Sequence, residues 1–274
     1  MTFPAKYPPD GLDLVRQGQT GLVPILRRVH SRSGARSINA QVARALGVAI
    51  VSGAIAADQK LPAEQELLAR YDISRTVLRE ALKILGAKGL IASRTNVGTW
   101  VLDRSHWQLF DADVLDWHAE HGIDRALLAD MFEFRLAIEP AGAGLVARYA
   151  TAGDIVALHA ALAAMRATTD DAQAFGEADA NLHSALARIS GNLLMRGSAN
   201  VIETSLMAVY AALGTPLSGR SAGAAKTHGR PALRQSLALH EAIVEAIAQG
   251  DSLAAGDAMT RAIEFERHAV FANP

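Results

Sequence analysis

Three short helical patterns followed by two short β-rich segments are the feature that most constrains the fold of this chain. Apolar residues recur at helical spacing over residues 38–53 and 74–89. Between them Pro62, followed by Glu64 and Glu66, marks the first turn of a helix that lies within residues 58–71. The segments 90–94 and 99–102 then read as two strands joined by a four-residue turn. Three helices and a hairpin in this order predict a winged helix-turn-helix, a fold that presents its third helix to DNA.

The third helical pattern has two chemically distinct faces. One face carries Leu78, Ala81, Leu82 and Leu85, and the other carries Arg75, Thr76, Arg79 and Lys83. Cations in the first turn of a recognition helix are placed to reach bases and phosphates, and wing residues Arg94, Thr95 and Asn96 can reach the adjacent groove. A solvated basic face on an ordinary helix is the alternative interpretation.

The charge of the chain is divided unevenly along its length. Residues 36–104 contain ten Lys/Arg and six Asp/Glu, whereas residues 105–274 contain twelve and twenty. A basic segment beside an acidic one favours a polyanionic partner for the first. The sequence therefore predicts a DNA-binding domain over residues 36–104.

The rest of the chain is alanine-rich and helical. Residues 1–35 carry scattered Pro and Gly and are predicted to be a disordered tail. Residues 105–122 are predicted to form a linker helix and residues 123–274 an all-helical domain, with an irregular stretch from Gly214 to Pro231. The predicted fold class is mainly α, with a β-hairpin wing and a C-terminal bundle.

Composition excludes several classes of protein. The chain has 274 residues and no cysteine, so a disulfide framework and a thiolate metal site are both excluded. No signal-peptide pattern and no run of eighteen apolar residues is present. We expect a cytoplasmic protein without a membrane partner.

The N-terminal motifs resemble those of the GntR family of regulators. The matching runs are Leu61–Leu68, Ile73–Leu82 and the wing residues Gly98–Val101. This resemblance implies that Ser74, Arg75, Thr76, Arg79, Asn96 and Gly98 contact DNA, with Gln65 and Thr95 beside them. Gln65 stands where the family often has arginine, and Asn96 stands where the wing usually has glycine.

The C-terminal half resembles the FCD effector domain of the fatty-acid-regulator branch of that family. The similar segments include Phe134–Pro140 and Phe175–His183. The resemblance implies a bundle of six or seven helices that binds a small carboxylate. Similarity over Trp107–Trp117 extends to regulators of galactonate and related sugar-acid operons.

A metal-binding pattern lies within this half. Asp179 and His183 are four residues apart, which places a carboxylate and an imidazole one helical turn apart. A hydrogen-bonded surface pair is the alternative. The resemblance adds His240 as a third ligand of a divalent metal, Zn or Ni, and places Ala262 where the family has its fourth ligand, a histidine.

Three residues are candidates for binding the effector. Arg135 has a planar fork that matches a carboxylate, and the resemblance adds Asn192 and His240. A buried ion pair with Glu139 is the alternative for Arg135. Replacing Arg135 is predicted to abolish the response to the effector.

These observations favour a homodimeric repressor that leaves its operator DNA when a sugar acid binds, and the protein is not expected to be an enzyme. A regulator responding to another class of carboxylate is one alternative. A metal-dependent hydrolase fused to a DNA-binding module is another, because three protein ligands plus water form an open catalytic geometry. An architectural DNA binder without a ligand is a third.

Overall fold

A computed structural model of the chain describes residues 37–94, 98–214 and 222–271. The N-terminal elements are α1 (Ile38–Val51), α2 (Glu64–Tyr71), α3 (Arg75–Ala87), β1 (Ile91–Arg94), β2 (Gly98–Val101), a 3-10 turn (Arg104–His106) and α4 (Ala112–His121). The C-terminal elements are α5 (Arg125–Tyr149), α6 (Ala152–Ala167), α7 (Ala172–Ile189), α8 (Leu193–Gly197), α9 (Ala199–Gly214), α10 (Ala222–Ala248) and α11 (Ser252–Phe271). The predicted fold class is confirmed. The predictions for residues 1–35, Thr95 and Asn96 lie outside the described residues.

Helices α1 to α3 and the hairpin surround one apolar core. Its members include Val42, Leu46, Ile50, Leu67, Leu78, Leu85, Leu90 and Val101. Helix α3 begins where the Ser74 hydroxyl accepts a hydrogen bond from the Val77 amide. The chain leaves α3 through Gly89, whose φ of +75° favours glycine, and β1 then pairs antiparallel with β2, Arg94 opposite Gly98.

Helix α4 contacts both parts of the molecule. The Asp111 carboxylate caps it by accepting hydrogen bonds from the amides of residues 113 and 114. Its Trp117 ring is buried in the N-terminal core and lies against Gly47, where a Cβ would overlap the ring. Its Leu115 faces the other way, into an apolar cluster with Leu127, Met131 and Val201. The predicted linker helix is therefore packed on both sides.

His118 of α4 is a buried titratable group at this junction. It is 2% exposed and its ring lies beside Trp107. Burial lowers the pKa of His118 to about 4, and the positive charge of Arg104 acts in the same direction. The folded protein therefore holds His118 neutral, whereas the unfolded chain protonates it near pH 6.5.

We expect the folded state to lose stability as the pH falls from about 6.5 to about 4, because protonation of His118 favours the unfolded chain. The measurement is the melting temperature at pH 7.5 and pH 5 for the wild-type protein and for His118→Gln. The variant removes this titration, so its melting temperature should fall less over the same interval. An equal fall in both proteins contradicts the assignment.

Seven helices, α5 to α11, form the bundle in the described part of the chain, in agreement with the expected six or seven. Side-chain caps begin several of them. The Thr151 hydroxyl and the Asp154 carboxylate form a reciprocal capping box at α6, and Asp124 caps α5. The bundle core contains Phe132, Phe175, Leu182, Leu206, Ile243 and Ile263 among its fully buried members.

The prediction of an irregular stretch from Gly214 to Pro231 is wrong for its second half, because α10 begins at Ala222 and continues through Pro231. A proline inside a helix removes one backbone hydrogen bond. Leu233 and Leu237 of the same helix are buried in the bundle core, and this burial outweighs the local signal. No helix among the described residues is both long and apolar enough to cross a membrane.

Candidate functional site

The exposed face of α3 carries the side chains that the sequence singles out for DNA. Ser74, Arg75, Thr76, Arg79 and Lys83 are exposed, whereas Leu78, Ala81 and Leu85 are buried and Leu82 is half-buried. The helix therefore packs through its leucines and presents hydroxyls and cations to solvent. Such a surface matches the hydrogen-bond acceptors of a DNA major groove.

The cations of this face differ in their present partners. Arg75 lies 3.5 Å from Glu64 of α2, and Lys83 lies 2.7 Å from Glu80 within α3. Arg79 has no ion-pair partner within residues 37–94, 98–214 and 222–271. It is available for an external anion without losing an internal contact. Gln65 is exposed on α2.

The second strand of the wing begins at Gly98, whose φ of +118° is accessible to glycine and strained for other residues. The side chain of Lys60 packs directly against this glycine. The segment before α2 pairs with β2, since the Leu61 amide donates to the Thr99 carbonyl at 2.8 Å. Lys60 therefore adds a cation at the wing, and sequence reasoning missed it because this pairing joins residues forty positions apart.

A second candidate site lies inside the bundle, where four helices each contribute two residues four positions apart. They are Arg135 and Glu139 of α5, Asp179 and His183 of α7, Ser236 and His240 of α10, and Ala262 and Glu266 of α11. This spacing aims both members of each pair in one direction. All eight residues are buried. We call this group the polar cluster.

Arg135 lies in the polar cluster with no exposed surface. Its Nε donates to Glu139 at 2.6 Å, and its Nη1 donates to Glu266 at 2.8 Å. Its Nη2 has no hydrogen-bond partner in the part of the chain that the structure describes. The ion pair with Glu139 is thus present, and one nitrogen remains available for a ligand.

Three donor atoms converge at the centre of the polar cluster. The Nε2 atoms of His183 and His240 lie 3.1 Å apart. Asp179 Oδ1 lies 3.0 Å from His240 Nε2 and 3.4 Å from His183 Nε2. Ligands of a tetrahedral metal ion at ~2.0–2.1 Å are separated by roughly 3.3 Å. The three spacings match that arrangement.

The outward-facing atoms of these residues are held by further hydrogen bonds. His183 Nδ1 contacts the Glu139 carboxylate, and His240 Nδ1 donates to the Ser236 carbonyl at 2.8 Å. The Tyr210 hydroxyl of α9 donates to Asp179 Oδ2 at 2.6 Å. Metal-binding sites orient their ligands in this way. Sequence reasoning missed Tyr210, because no local pattern marks a partner from another helix, and it also missed Ser236, which lies four residues before His240 on the same helix.

The hydrogen bonds of the polar cluster test whether a cation fits. Both Nδ1 atoms face acceptors and therefore carry the hydrogen of a neutral ring, so that when both histidines are neutral the two Nε2 atoms face each other as lone-pair donors. If both Nε2 atoms carried hydrogen, two N–H donors would face each other and repel. Asp179 Oδ1 and Glu266 Oε1 have no hydrogen-bond partner among the described residues. A metal ion satisfies all four atoms, so the residues present fit one.

The charges of the polar cluster shift the pKa values of its members. Burial opposes ionisation of Glu139, but Arg135 and His183 lower its pKa to about 2. Burial also opposes protonation of His183, but Glu139 and Asp179 raise its pKa to about 10. Burial raises the pKa of the Glu266 carboxyl, although Arg135 opposes this shift. The site therefore concentrates negative charge that requires protons or a cation to balance it.

A small cavity adjoins the polar cluster. Glu139 and His183 form its polar wall, and Leu186, Ile202 and Met259 form much of its apolar wall. Met195 of α8 closes one side. The structure places Asn192 at the N-terminus of α8, where its carboxamide oxygen accepts hydrogen bonds from the backbone amides of residues 194 and 195. Asn192 thus caps the helix that supplies Met195 and is not among the residues that line the cavity.

Comparisons with known proteins agree on two regions. Residues 130–265 match the FCD domain, and residues 38–101 match the bacterial regulatory proteins of the gntR family. The chain is 36% identical over 165 residues to the galactonate operon transcriptional repressor of Escherichia coli, covering 60% of this chain and 72% of that protein. It is 27% identical over 231 residues to the uncharacterized regulator YieP of Escherichia coli, covering 84% of this chain and 92% of that protein.

A solved structure gives the same fold. The regulator Lar, which controls the expression of the Listeria monocytogenes agr system, has a TM-score of 0.57 at 16% identity, covering 88% of this chain and 100% of that chain. At this identity the likeness concerns the fold alone.

Proposed function

The chain belongs to the FCD branch of the GntR family of bacterial regulatory proteins, and we propose that it represses a sugar-acid catabolic operon as a homodimer. Membership makes it a ligand-responsive, DNA-binding transcription regulator and not an enzyme. The hydrolase alternative is thereby set aside. What we propose beyond family membership is the class of operon, the identity of the effector and the dimeric state.

The proposed DNA contacts are divided between α2, α3 and the wing. Ser74, Arg75, Thr76 and Arg79 are assigned to bases and phosphates, Gln65 to a neighbouring backbone contact, and Thr95, Asn96 and Gly98 to the groove beside the wing. The guanidinium of Arg79 is exposed and has no ion-pair partner among the described residues, and this supports the assignment, because arginine binds guanine O6 and N7 through two hydrogen bonds. A homodimer would present two such helices to a pseudo-palindromic operator.

The proposed effector is a sugar acid such as an aldonate. The observation that carries this proposal is the Nη2 of the buried Arg135, which has no hydrogen-bond partner among the described residues. A guanidinium in a desolvated site favours a carboxylate strongly, because the competing solvent is excluded. The adjoining cavity is lined by Glu139 and His183 of the polar cluster, and Glu139 is the residue that Arg135 Nε binds. The galactonate repressor's name supports an aldonate over other carboxylates.

We also propose that Asp179, His183 and His240 hold a divalent metal, Zn or Ni. Two imidazoles and a carboxylate suit both ions. When bound, the ion would supply positive charge that attracts an effector oxygen. His240, assigned to both metal and effector, would then lie at their junction, with Ser236 fixing its ring through Nδ1.

A ligand screen tests the effector assignment. Galactonate and related aldonates at about 100 times their Kd are expected to stabilise the folded protein by about 2.7 kcal/mol. For a protein of this size that raises the melting temperature by roughly 5–10 °C. The same ligand should release the protein from operator DNA in a mobility-shift assay.

Galactose is the matched control, since it lacks the carboxylate of galactonate and retains the sugar hydroxyls. Uronates and dicarboxylates complete the panel and separate sugar acids from other carboxylates. If no carboxylate shifts the melting temperature, the effector assignment is wrong. If only a dicarboxylate does so, the class of operon must be revised.

A further inference from the structure

We propose that Glu266 is a metal ligand in this chain, supplying through its Oε1 the fourth protein contact, and that Arg135 positions it. This inference rests on the metal site proposed above for Asp179, His183 and His240. It concerns a residue one helical turn beyond Ala262, the position at which a histidine was expected from the resemblance. Ala262 is buried and has no donor atom.

The position of Glu266 supports the proposal. One donor atom from each of Asp179, His183, His240 and Glu266 lies within 4.8 Å of the others. Glu266 is 2% exposed, and its Oε1 has no hydrogen-bond partner among the described residues. An unsatisfied carboxylate oxygen in a buried site costs free energy unless a cation or a donor reaches it. A metal ion shared with the other three residues meets that requirement.

Alpha-helical geometry explains how a glutamate replaces a residue four positions earlier. Residues 262 and 266 lie on one face of α11, about one turn apart. The carboxylate oxygens of a glutamate lie three bonds beyond Cβ, where the side chain of alanine ends. Side chains in a helix point back toward its N-terminus. Glu266 therefore directs its carboxylate back toward the level of Ala262.

Arg135 determines which oxygen of Glu266 remains free. Its Nη1 binds Oε2 at 2.8 Å, which leaves Oε1 as the unpartnered atom. The same guanidinium binds Glu139, whose other oxygen contacts His183. One arginine thus orients two residues of the site without itself donating an electron pair. Arg135 is a positioning residue for the metal as well as the proposed carboxylate partner of the effector.

The charges of the polar cluster also balance with a divalent cation. Asp179, Glu139 and Glu266 carry three negative charges when ionised, and Arg135 carries one positive charge. The remaining two negative charges equal the charge of one divalent ion, with both histidines neutral as metal ligation requires. Without Glu266 the same ion would leave a buried excess of positive charge.

The test uses full-length protein stripped with EDTA and titrated with ZnCl2 and NiCl2 by calorimetry, followed by metal analysis after dialysis. Glu266→Gln keeps the size of the side chain and removes its charge. We expect its metal affinity to fall by about 100-fold or more, beyond the roughly 10–100-fold typical when a group that only orients a ligand is lost. Co²⁺ loading gives a second readout, because losing a carboxylate ligand changes the visible absorption of the ion.

Glu264→Gln is the matched control, since Glu264 lies on the same helix and pairs with Arg267 at the surface. It should bind both metals like the wild-type protein. Because Glu266→Gln also weakens the pairing of Arg135, the melting temperature of each stripped protein is measured to show that both fold. In the Glu266→Gln background, Ala262→His is expected to restore tight binding.

Unchanged affinity and an unchanged Co²⁺ spectrum in Glu266→Gln would overturn the proposal. A wild-type protein that binds neither Zn²⁺ nor Ni²⁺ would overturn it as well. Neither result affects the proposed repressor function, which is tested separately by release from operator DNA with aldonates. The first result leaves the metal site of Asp179, His183 and His240 in place, whereas the second overturns that site too.

Discussion

Replacing Arg79 with alanine is expected to abolish specific operator binding while the protein stays folded. The side chain is exposed on α3 and has no ion-pair partner in the described ranges, so its loss removes no internal contact. Loss of one base or phosphate contact costs about 1–3 kcal/mol, and a dimer would lose two such contacts. The combined loss of about 2–6 kcal/mol corresponds to a fall in affinity of roughly 30-fold to 20,000-fold.

The measurement is a mobility-shift titration of Arg79→Ala against operator DNA at fixed salt, with the melting temperature as the check on folding. Arg148→Ala is the control, because Arg148 is an exposed arginine in the last turn of α5 and its loss removes the same charge away from α3. The control should bind operator like the wild-type protein. Equal binding by Arg79→Ala and the control would place the DNA-reading surface elsewhere.

The N-terminal fold was predictable because its signals are local. Ser74 caps α3 and Gly89 adopts a positive φ after it, and both features follow from the chemistry of single residues. The alternation of leucines and cations along α3 likewise predicts which face is buried. The start of α10 was not predictable in this way, because Leu233 and Leu237 stabilise the helix through contacts with distant parts of the bundle.

The same distinction applies to the polar cluster. The pair Asp179 and His183 is visible in the sequence, because four-residue spacing places both on one helical face. Tyr210 was missed, since its hydroxyl reaches Asp179 only after α9 packs against α7. Glu266 lies one helical turn beyond Ala262, but only the packing of α11 against α5 brings it to Arg135.

Replacing Arg135 with alanine is expected to be strongly destabilising in addition to removing the response to the effector. The guanidinium is fully buried between Glu139 and Glu266, so alanine leaves two carboxylates without their partner. Breaking a buried ion pair in this way costs about 3–5 kcal/mol. For a protein of this size the melting temperature falls by roughly 6–20 °C. The measurement is thermal unfolding of EDTA-stripped protein, in which no metal contributes to stability.

The destabilisation caused by unpaired buried charge can be separated from the destabilisation caused by lost packing around Arg135. The triple variant Arg135→Met, Glu139→Gln, Glu266→Gln removes all three charges while keeping similar volumes, and replacing a buried charged group as a unit is often close to neutral. We therefore expect the triple variant to unfold at a higher temperature than Arg135→Ala, even though it carries more substitutions. If the triple variant is the less stable of the two, uncompensated charge is not what makes Arg135 necessary. The fold would then depend on the shape of the arginine and its hydrogen-bonding geometry, which methionine lacks.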